Sequence, residues 1–140
     1  MPSNSILSRI VISTKQDERG ILSICEFPEE KLFPIKRLYY IFGVPRNESR
    51  GMHAHKSLRQ IFLAVSGSFT LEVTDGEKVE SVEITSGRSG YLLPNGYWRE
   101  LKNFSEDAMC LVLASEHYDP SDYIHNKNEY LEWRKINAKY

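Results

Sequence analysis

The stretch Phe69-Thr70-Leu71-Glu72-Val73-Thr74-Asp75-Gly76-Glu77-Lys78-Val79-Glu80-Ser81-Val82-Glu83-Ile84 decides the fold class. Two runs rich in Val, Ile, Phe and Thr flank an Asp75-Gly76 pair, and such a pair tolerates the positive φ angles of a tight hairpin turn. Working outward, runs of the same kind recur at Arg9–Ser13, Ile21–Phe27, Ile35–Phe42, Gln60–Val65, Tyr91–Leu93 and Cys110–Ala114. Turn residues separate them at Glu18-Arg19-Gly20, Pro45-Arg46-Asn47, Ser66-Gly67 and Pro94-Asn95-Gly96. Many short strands at regular spacing predict an all-β fold, a sandwich or a jelly-roll barrel. Only the tail changes character. Between Ser121 and Lys139 the spacing of Tyr123, Ile124, Tyr130, Leu131 and Ile136 predicts one or two short helices closing one end of the barrel.

The chain of 140 residues is the length of one domain, read as 1–140. Its 18 Lys+Arg against 19 Asp+Glu leave a formal charge of −1, without the basic excess of a nucleic-acid binder. The longest apolar run, Ala108–Ala114, is far short of the ~20 residues that cross a bilayer, so no membrane partner is expected. Met1–Arg9 lacks the basic start and apolar stretch of a signal peptide. Cys25 and Cys110 stand alone, with no CxxC pair and no disulfide density. A soluble cytoplasmic protein is expected.

The densest polar constellation is Arg50-Gly51-Met52-His53-Ala54-His55-Lys56. Residues two apart on a strand face the same side, so His53 and His55 project together. A neutral imidazole suits acid–base work because its ordinary pKa lies near ~6.5. On Ile35–Ile41, the same alternation puts Arg37, Tyr39 and Ile41 on one face and Leu38, Tyr40 and Phe42 on the other. An inward arginine calls for an anion, since a buried unpaired charge is very costly. Arg19 lies in a turn, where solvation is the ordinary fate of an arginine, and Trp98 suits either stacking on a ligand or filling the barrel mouth. His117 and His125 have no such company and are expected at the surface or in the tail.

Counting on from His55, Gln60 follows after four residues and Gly67 after six more, and Pro94-Asn95-Gly96-Tyr97-Trp98 leads to Arg99. These spacings resemble the two cupin motifs, HxH with an acid and a glycine, then Pro-x-Gly-x-x-His. Metal-binding cupins use those two histidines, the acid and a third histidine as ligands. Gln60 stands at the acid position and Arg99 at the third histidine, and a guanidinium cannot be deprotonated to serve as a ligand. No metal is therefore expected.

The resemblance sharpens over Ile35-Lys36-Arg37-x-Tyr39-Tyr40-Ile41, Arg50-Gly51-x-His53-Ala54-His55-Lys56, Pro94 to Trp98 with Glu100, Val112-Leu113-Ala114-Ser115 and Asp119-x-x-Asp122-Tyr123-Ile124. In this order the segments are similar to the dTDP-sugar 3,4-ketoisomerases, the family that includes the WxcM-like C-terminal domains. The resemblance implies a homodimeric cytoplasmic cupin. It further implies cofactor-independent conversion of dTDP-4-keto-6-deoxyglucose to a 3-keto sugar for amino-sugar and surface-glycan synthesis. It puts the essential histidines at His53 and His55, with Tyr39, Arg37 and Arg50 lining the site, Gln60 beside them, and positions 19 and 99 governing the configuration left at C4. Arg99 points to the 6-deoxygluco product and Arg19 to the 6-deoxygalacto one, with the gluco product favoured slightly.

The residues fit that chemistry independently. Moving a ketone to its neighbour needs a base for the C3 proton, a return of the proton to C4, and donors for the enediolate between them. His55 is favoured as the base, with His53 assisting, and a second histidine or Tyr39 can shuttle the proton between the two oxygens. Two other readings compete: a 3,5-epimerase, which the tight His-Ala-His pair disfavours, and a non-catalytic sugar-nucleotide-binding cupin, which would not need both histidines.

Overall fold

The computed structural model describes residues 4–27 and 33–137. Within them the strands are β1 (Ser8–Asp17), β2 (Gly20–Cys25), β3 (Arg37–Phe42), β4 (Arg50–His55), β5 (Gln60–Ser66), β6 (Ser68–Thr74), β7 (Val79–Thr85), β8 (Ser89–Leu93), β9 (Trp98–Lys102), β10 (Met109–Ala114) and β11 (Tyr123–Ile124). They form two antiparallel sheets, ordered β2-β1-β8-β5-β10-β3 and β11-β4-β9-β6-β7. One helix, α1 (Lys127–Asn137), follows β11. This is the all-β jelly-roll arrangement that the strand pattern predicts.

Side-chain alternation explains how the sheets pack. On β6, Phe69, Leu71 and Val73 are fully buried, and they meet Phe62 and Ala64 of β5 and Cys110 and Val112 of β10 between the sheets. The other faces of β5 and β10 are apolar as well. Ile61, Leu63 and Leu113 join Ile10, Ile12, Leu92, Leu111 and Phe33 on the outside of the six-stranded sheet. A sheet with two apolar faces needs cover on both.

The Asp75-Gly76 hairpin is present, with β6 paired to β7 from Ser68↔Thr85 to Thr74↔Val79. Its loop has four residues: the Asp75 carboxylate accepts from the Glu77 and Lys78 amides, and Gly76 takes φ +103°. The tail differs from expectation in one respect. Tyr123-Ile124 is a strand paired with His55 and Ala54, preceded by a 3-10 turn at Pro120–Asp122, so the helix begins only at Lys127. Lys139, the end of the expected helical tail, lies outside the described residues. The helix seats Tyr130, fully buried, against Trp98, Ala54 and Ile124, and the Tyr130 hydroxyl lies 2.9 Å from the Gly96 carbonyl oxygen that accepts it.

Candidate active site

A cavity of about 440 Å³ opens at the end of the barrel where β3, β4 and β9 converge on the segment before α1. Arg37, Tyr39, Arg50, His53 and Arg99 line it, with Tyr118 and Tyr123 contributed by the chain after β10. The strand registers account for the convergence. His53 stands directly across from Arg99 on the β4–β9 ladder, and Tyr123 directly across from His55 on β11–β4. The register of β4 against β9 shifts between Arg50 and His53, a bulge that re-aims the strand beside the cavity. Gly51 sits in that bulge at φ +70°, and a Cβ there would lie 3.0 Å from Arg99 Nη1, so the guanidinium lies flush on bare backbone.

The histidines meet at their tips. Nε2 of His53 is 3.1 Å from Nε2 of His55, with the rings nearly perpendicular at 87°. His53 faces the cavity, whereas His55 lies behind it at 4% exposure. The group at the cavity wall is thus His53, with His55, the ring favoured as base from the sequence, behind it. Arg99 Nη2 donates to His53 Nε2 at 2.8 Å and lies 3.4 Å from the Tyr39 hydroxyl. Gln60, buried, donates to that hydroxyl at 2.8 Å and so holds Tyr39 from behind. Arg99 is 3% exposed, and its Nε and Nη1 have no hydrogen-bond partner, as is also true of Arg37 Nε and Nη2. Buried guanidinium donors without partners favour an anion between them.

Electrostatics hold both histidines neutral. Burial, followed by the Arg99 charge and then by His55 and His125, takes the His53 pKa down to about 2. Burial and Arg99 also lower His55, to about 4, while the hydrogen bond and charge of Asp122 pull it back up and Arg37 pulls it down. At neutral pH both rings are therefore uncharged and each keeps one basic nitrogen, which is the state a base requires. The same Arg99 contact occupies the His53 lone pair that a metal ion would need. Among the described residues, no group of three or more His, Cys, Asp or Glu is placed to hold one.

Two of the expected site residues lie elsewhere. Trp98 does not border the cavity. It neighbours inward-facing Arg99 on β9, so alternation turns it to the opposite side, where it packs on Tyr130 at 5.8 Å under α1. Arg19 sits in the β1–β2 turn, its side chain 84% exposed and paired with Asp17 at 2.6 Å, bordering a separate hollow with Lys15 and Leu22. Three residues without an expected role do reach the site. Asp122 Oδ2 is 3.0 Å from His55 Nδ1. Tyr123 packs on both histidine rings, at 4.4 and 4.9 Å. His125, expected as a bystander in the tail, is exposed but stacks on Tyr123 with its ring 5.8 Å from that of His53. The order Asp122-Tyr123-Ile124 within a family-like segment was the one signal pointing there.

Residues 5–135 match the family model described as FdtA: WxcM-like, C-terminal. The chain is 37% identical over 123 residues to the TDP-4-oxo-6-deoxy-alpha-D-glucose-3,4-oxoisomerase of Aneurinibacillus thermoaerophilus, covering 88% of this chain and 86% of that protein. Among solved structures, the WlaRB TDP-quinovose 3,4-ketoisomerase of Campylobacter jejuni is 40% identical with a TM-score of 0.80, over 90% of this chain and 97% of that one. A variant of the 3,4-ketoisomerase QdtA of Thermoanaerobacterium thermosaccharolyticum, in complex with TDP-4-keto-6-deoxyglucose, is 32% identical with a TM-score of 0.86, over 94% and 96%. Strand order, the paired histidines and these matches agree, and the chain belongs to the FdtA, WxcM-like C-terminal family of cupin-type 3,4-ketoisomerases.

Proposed function

We propose that this protein converts dTDP-4-keto-6-deoxyglucose into the corresponding 3-keto-6-deoxyhexose without a cofactor. The observation that carries the reading is a neutral His53, backed by His55, at the wall of a cavity beside which buried guanidinium nitrogens of Arg37 and Arg99 have no partner. His53 takes the proton from C3. The C3–H electron pair becomes the C3–C4 double bond of the enediolate, with charge on O4. The O3 hydroxyl proton is relayed to O4 by the second histidine or Tyr39, and a proton delivered to C4 leaves the ketone at C3. Arg99 and Tyr39 direct donors to the same place, where the enediolate oxygens develop charge. Arg37 and Arg50 supply cations on the same cavity for the diphosphate. An anion beside Arg37 and Arg99 also offsets the charges that depress the histidines, so substrate binding strengthens the base that attacks it.

The 6-deoxygluco configuration at C4 is the preferred product. Arg99 lies inside the cavity in contact with His53, whereas Arg19 is remote from the cavity of its own chain. The 40% identity to a TDP-quinovose enzyme supports the same choice. The 3-keto product serves a following amino transfer in deoxysugar synthesis for surface glycans, and the reaction runs in the cytoplasm. No helix among the described residues is long and apolar enough to cross a membrane.

The protein acts as a homodimer. Leu38, Tyr40 and Phe42 on the outer face of edge strand β3 are 54%, 57% and 62% exposed, beside the apolar outside of the six-stranded sheet. A strip of that kind at a sheet edge is suited to a second copy.

Proton NMR of dTDP-4-keto-6-deoxyglucose with the protein in D2O tests the activity. A 3-keto species with deuterium at C4 is expected, and its C4 coupling constants give the configuration. Deuterium at C3 and C5 with the ketone unmoved would instead establish a 3,5-epimerase. Binding with an unchanged spectrum would leave a non-catalytic binding protein.

A further inference from the structure

Hydrogen-bond accounting around the two histidines leads to a residue with no assigned role. The Asp122 carboxylate accepts the Ser57 amide on Oδ1 at 2.7 Å and the Leu58 amide on Oδ2 at 3.4 Å, so both oxygens already serve as acceptors. His55 Nδ1, 3.0 Å from Oδ2, must therefore carry a hydrogen and donate it. At the other end of the chain of contacts, Arg99 Nη2 can only donate, so His53 Nε2 must accept. Those two outer bonds leave a free lone pair on His55 Nε2, 3.1 Å from His53 Nε2, whose own lone pair is engaged by Arg99. A neutral ring with hydrogen between the two would break one outer bond. The contact is therefore a slot for one added proton.

The surroundings decide which ring keeps that proton. His55 is faced by Asp122 from the tail, His53 on its own strand, Arg99 from β9, Arg37 from β3 and Tyr123 from β11, with His125 beyond Tyr123. Asp122 is the sole anion in that group. His53 is in direct contact with Arg99 and has no carboxylate on it.

We propose that Asp122 is a positioning residue that pins the Nδ1 hydrogen of His55, aims its Nε2 lone pair at His53 and makes His55 the place where a proton taken up by the pair comes to rest. A proton received at His53 Nε2 passes across the 3.1 Å contact to His55 Nε2. His55 becomes an imidazolium against the Asp122 carboxylate, and His53 recovers its lone pair. The return path to C4 runs back through His53, after the proton held on His55 has exchanged with solvent. The catalytic part of this inference rests on the proposed isomerisation; the tautomer part does not.

The test is nitrogen NMR of 15N-histidine-labelled free protein near neutral pH, for the wild type and Asp122→Asn. In the wild type, His55 is expected to carry hydrogen on Nδ1 and none on Nε2. Asparagine must keep an acceptor for the short Ser57 bond, so its NH2 turns towards His55 Nδ1 and drives the ring to the Nε2–H tautomer. That hydrogen fills the slot, and kcat is expected to fall at least ~100-fold with KM within about threefold. A purely structural role would not move the tautomer. The proposal is overturned by an Nε2–H His55 in the wild type, by a variant that keeps the Nδ1 hydrogen, or by an unchanged kcat once the tautomer has flipped. The wild-type spectrum needs no variant to fold. Were the wild type to leave the ketone in place, the isomerase reading would fall while the spectra still judged the role of Asp122.

Discussion

Arg99 contacts His53 through one nitrogen, approaches Tyr39 with the same group, lies over the Phe62 ring and rests on Gly51. A cation so placed keeps His53 neutral and leaves two of its own donors for a ligand. In the proposed reaction, base and anion-holder are separate side chains, and they can be separated by mutation. His53→Gln is expected to bind the substrate within a few-fold of wild type while losing turnover by about 10³-fold, measured by calorimetry beside the NMR assay. Comparable losses of both binding and turnover would show His53 to be a binding group instead. At this scale the alternation rule was a good guide where a side chain's neighbours were known: Arg37 and Tyr39 do share the cavity face. It also contains the answer for Trp98, because an inward Arg99 forces its neighbour outward. The proximity of Asp122 to His55, 67 positions away, follows from the tertiary fold and from no local pattern.

The elements show where periodicity is informative. The β6–β7 hairpin was legible because two β-branched runs flank turn residues. Strand β9, Trp98-Arg99-Glu100-Leu101-Lys102, escaped notice because three of its five residues are charged, although both Trp98 and Arg99 are buried. Tyr123-Ile124 read as helical because two apolar residues fit any period, and its strand character comes from pairing with His55 and Ala54. The turn between β5 and β6 gives a sharper test. Gly67 has φ +64°, and a Cβ there would sit 2.6 Å from Asp107 Oδ1 and 2.8 Å from the Ala108 Cα, as well as against Ser105 Oγ. Backbone at Ala108 cannot yield as a side chain can. Gly67→Ala is expected to cost on the order of 2–4 kcal/mol by urea unfolding, and a loss below about 0.5 kcal/mol would mean the β5–β6 turn readily relaxes.

For the whole molecule, two bulk properties follow. The exposed Leu38, Tyr40 and Phe42 strip predicts a light-scattering mass near twice the 16.2 kDa of one chain, and Phe42→Lys is expected to shift it towards the monomer. A wild-type mass of one chain would remove the dimer. The second property is the response to acid. His53 and His55 titrate near ~6.5 when unfolded and at about 2 and about 4 when folded, so between pH 6.5 and pH 4 the unfolded chain binds protons that the fold refuses. Stability from this source is complete above pH 6.5 and is lost as pH falls below it. The pair is expected to account for a loss on the order of 3 kcal/mol between pH 7 and pH 5. Chemical denaturation of wild type and of a His53→Gln/His55→Gln double variant checks this, because the variant's curve should be flatter in that window.

The position of Asp122 and Tyr123 late in the chain has a consequence for biosynthesis. A ribosome delivers the N-terminal strands first, and the ten strands through Ala114 are all complete before the tail emerges. At that moment His53 and His55 already share a strand, but the carboxylate that wires them and the ring that covers them have not been made. In the proposed reaction, competence thus waits for the segment that follows β10. A product halted between Ser115 and Asp119 would contain nearly the whole barrel, leave Trp98 and Ala54 uncovered, and be silent.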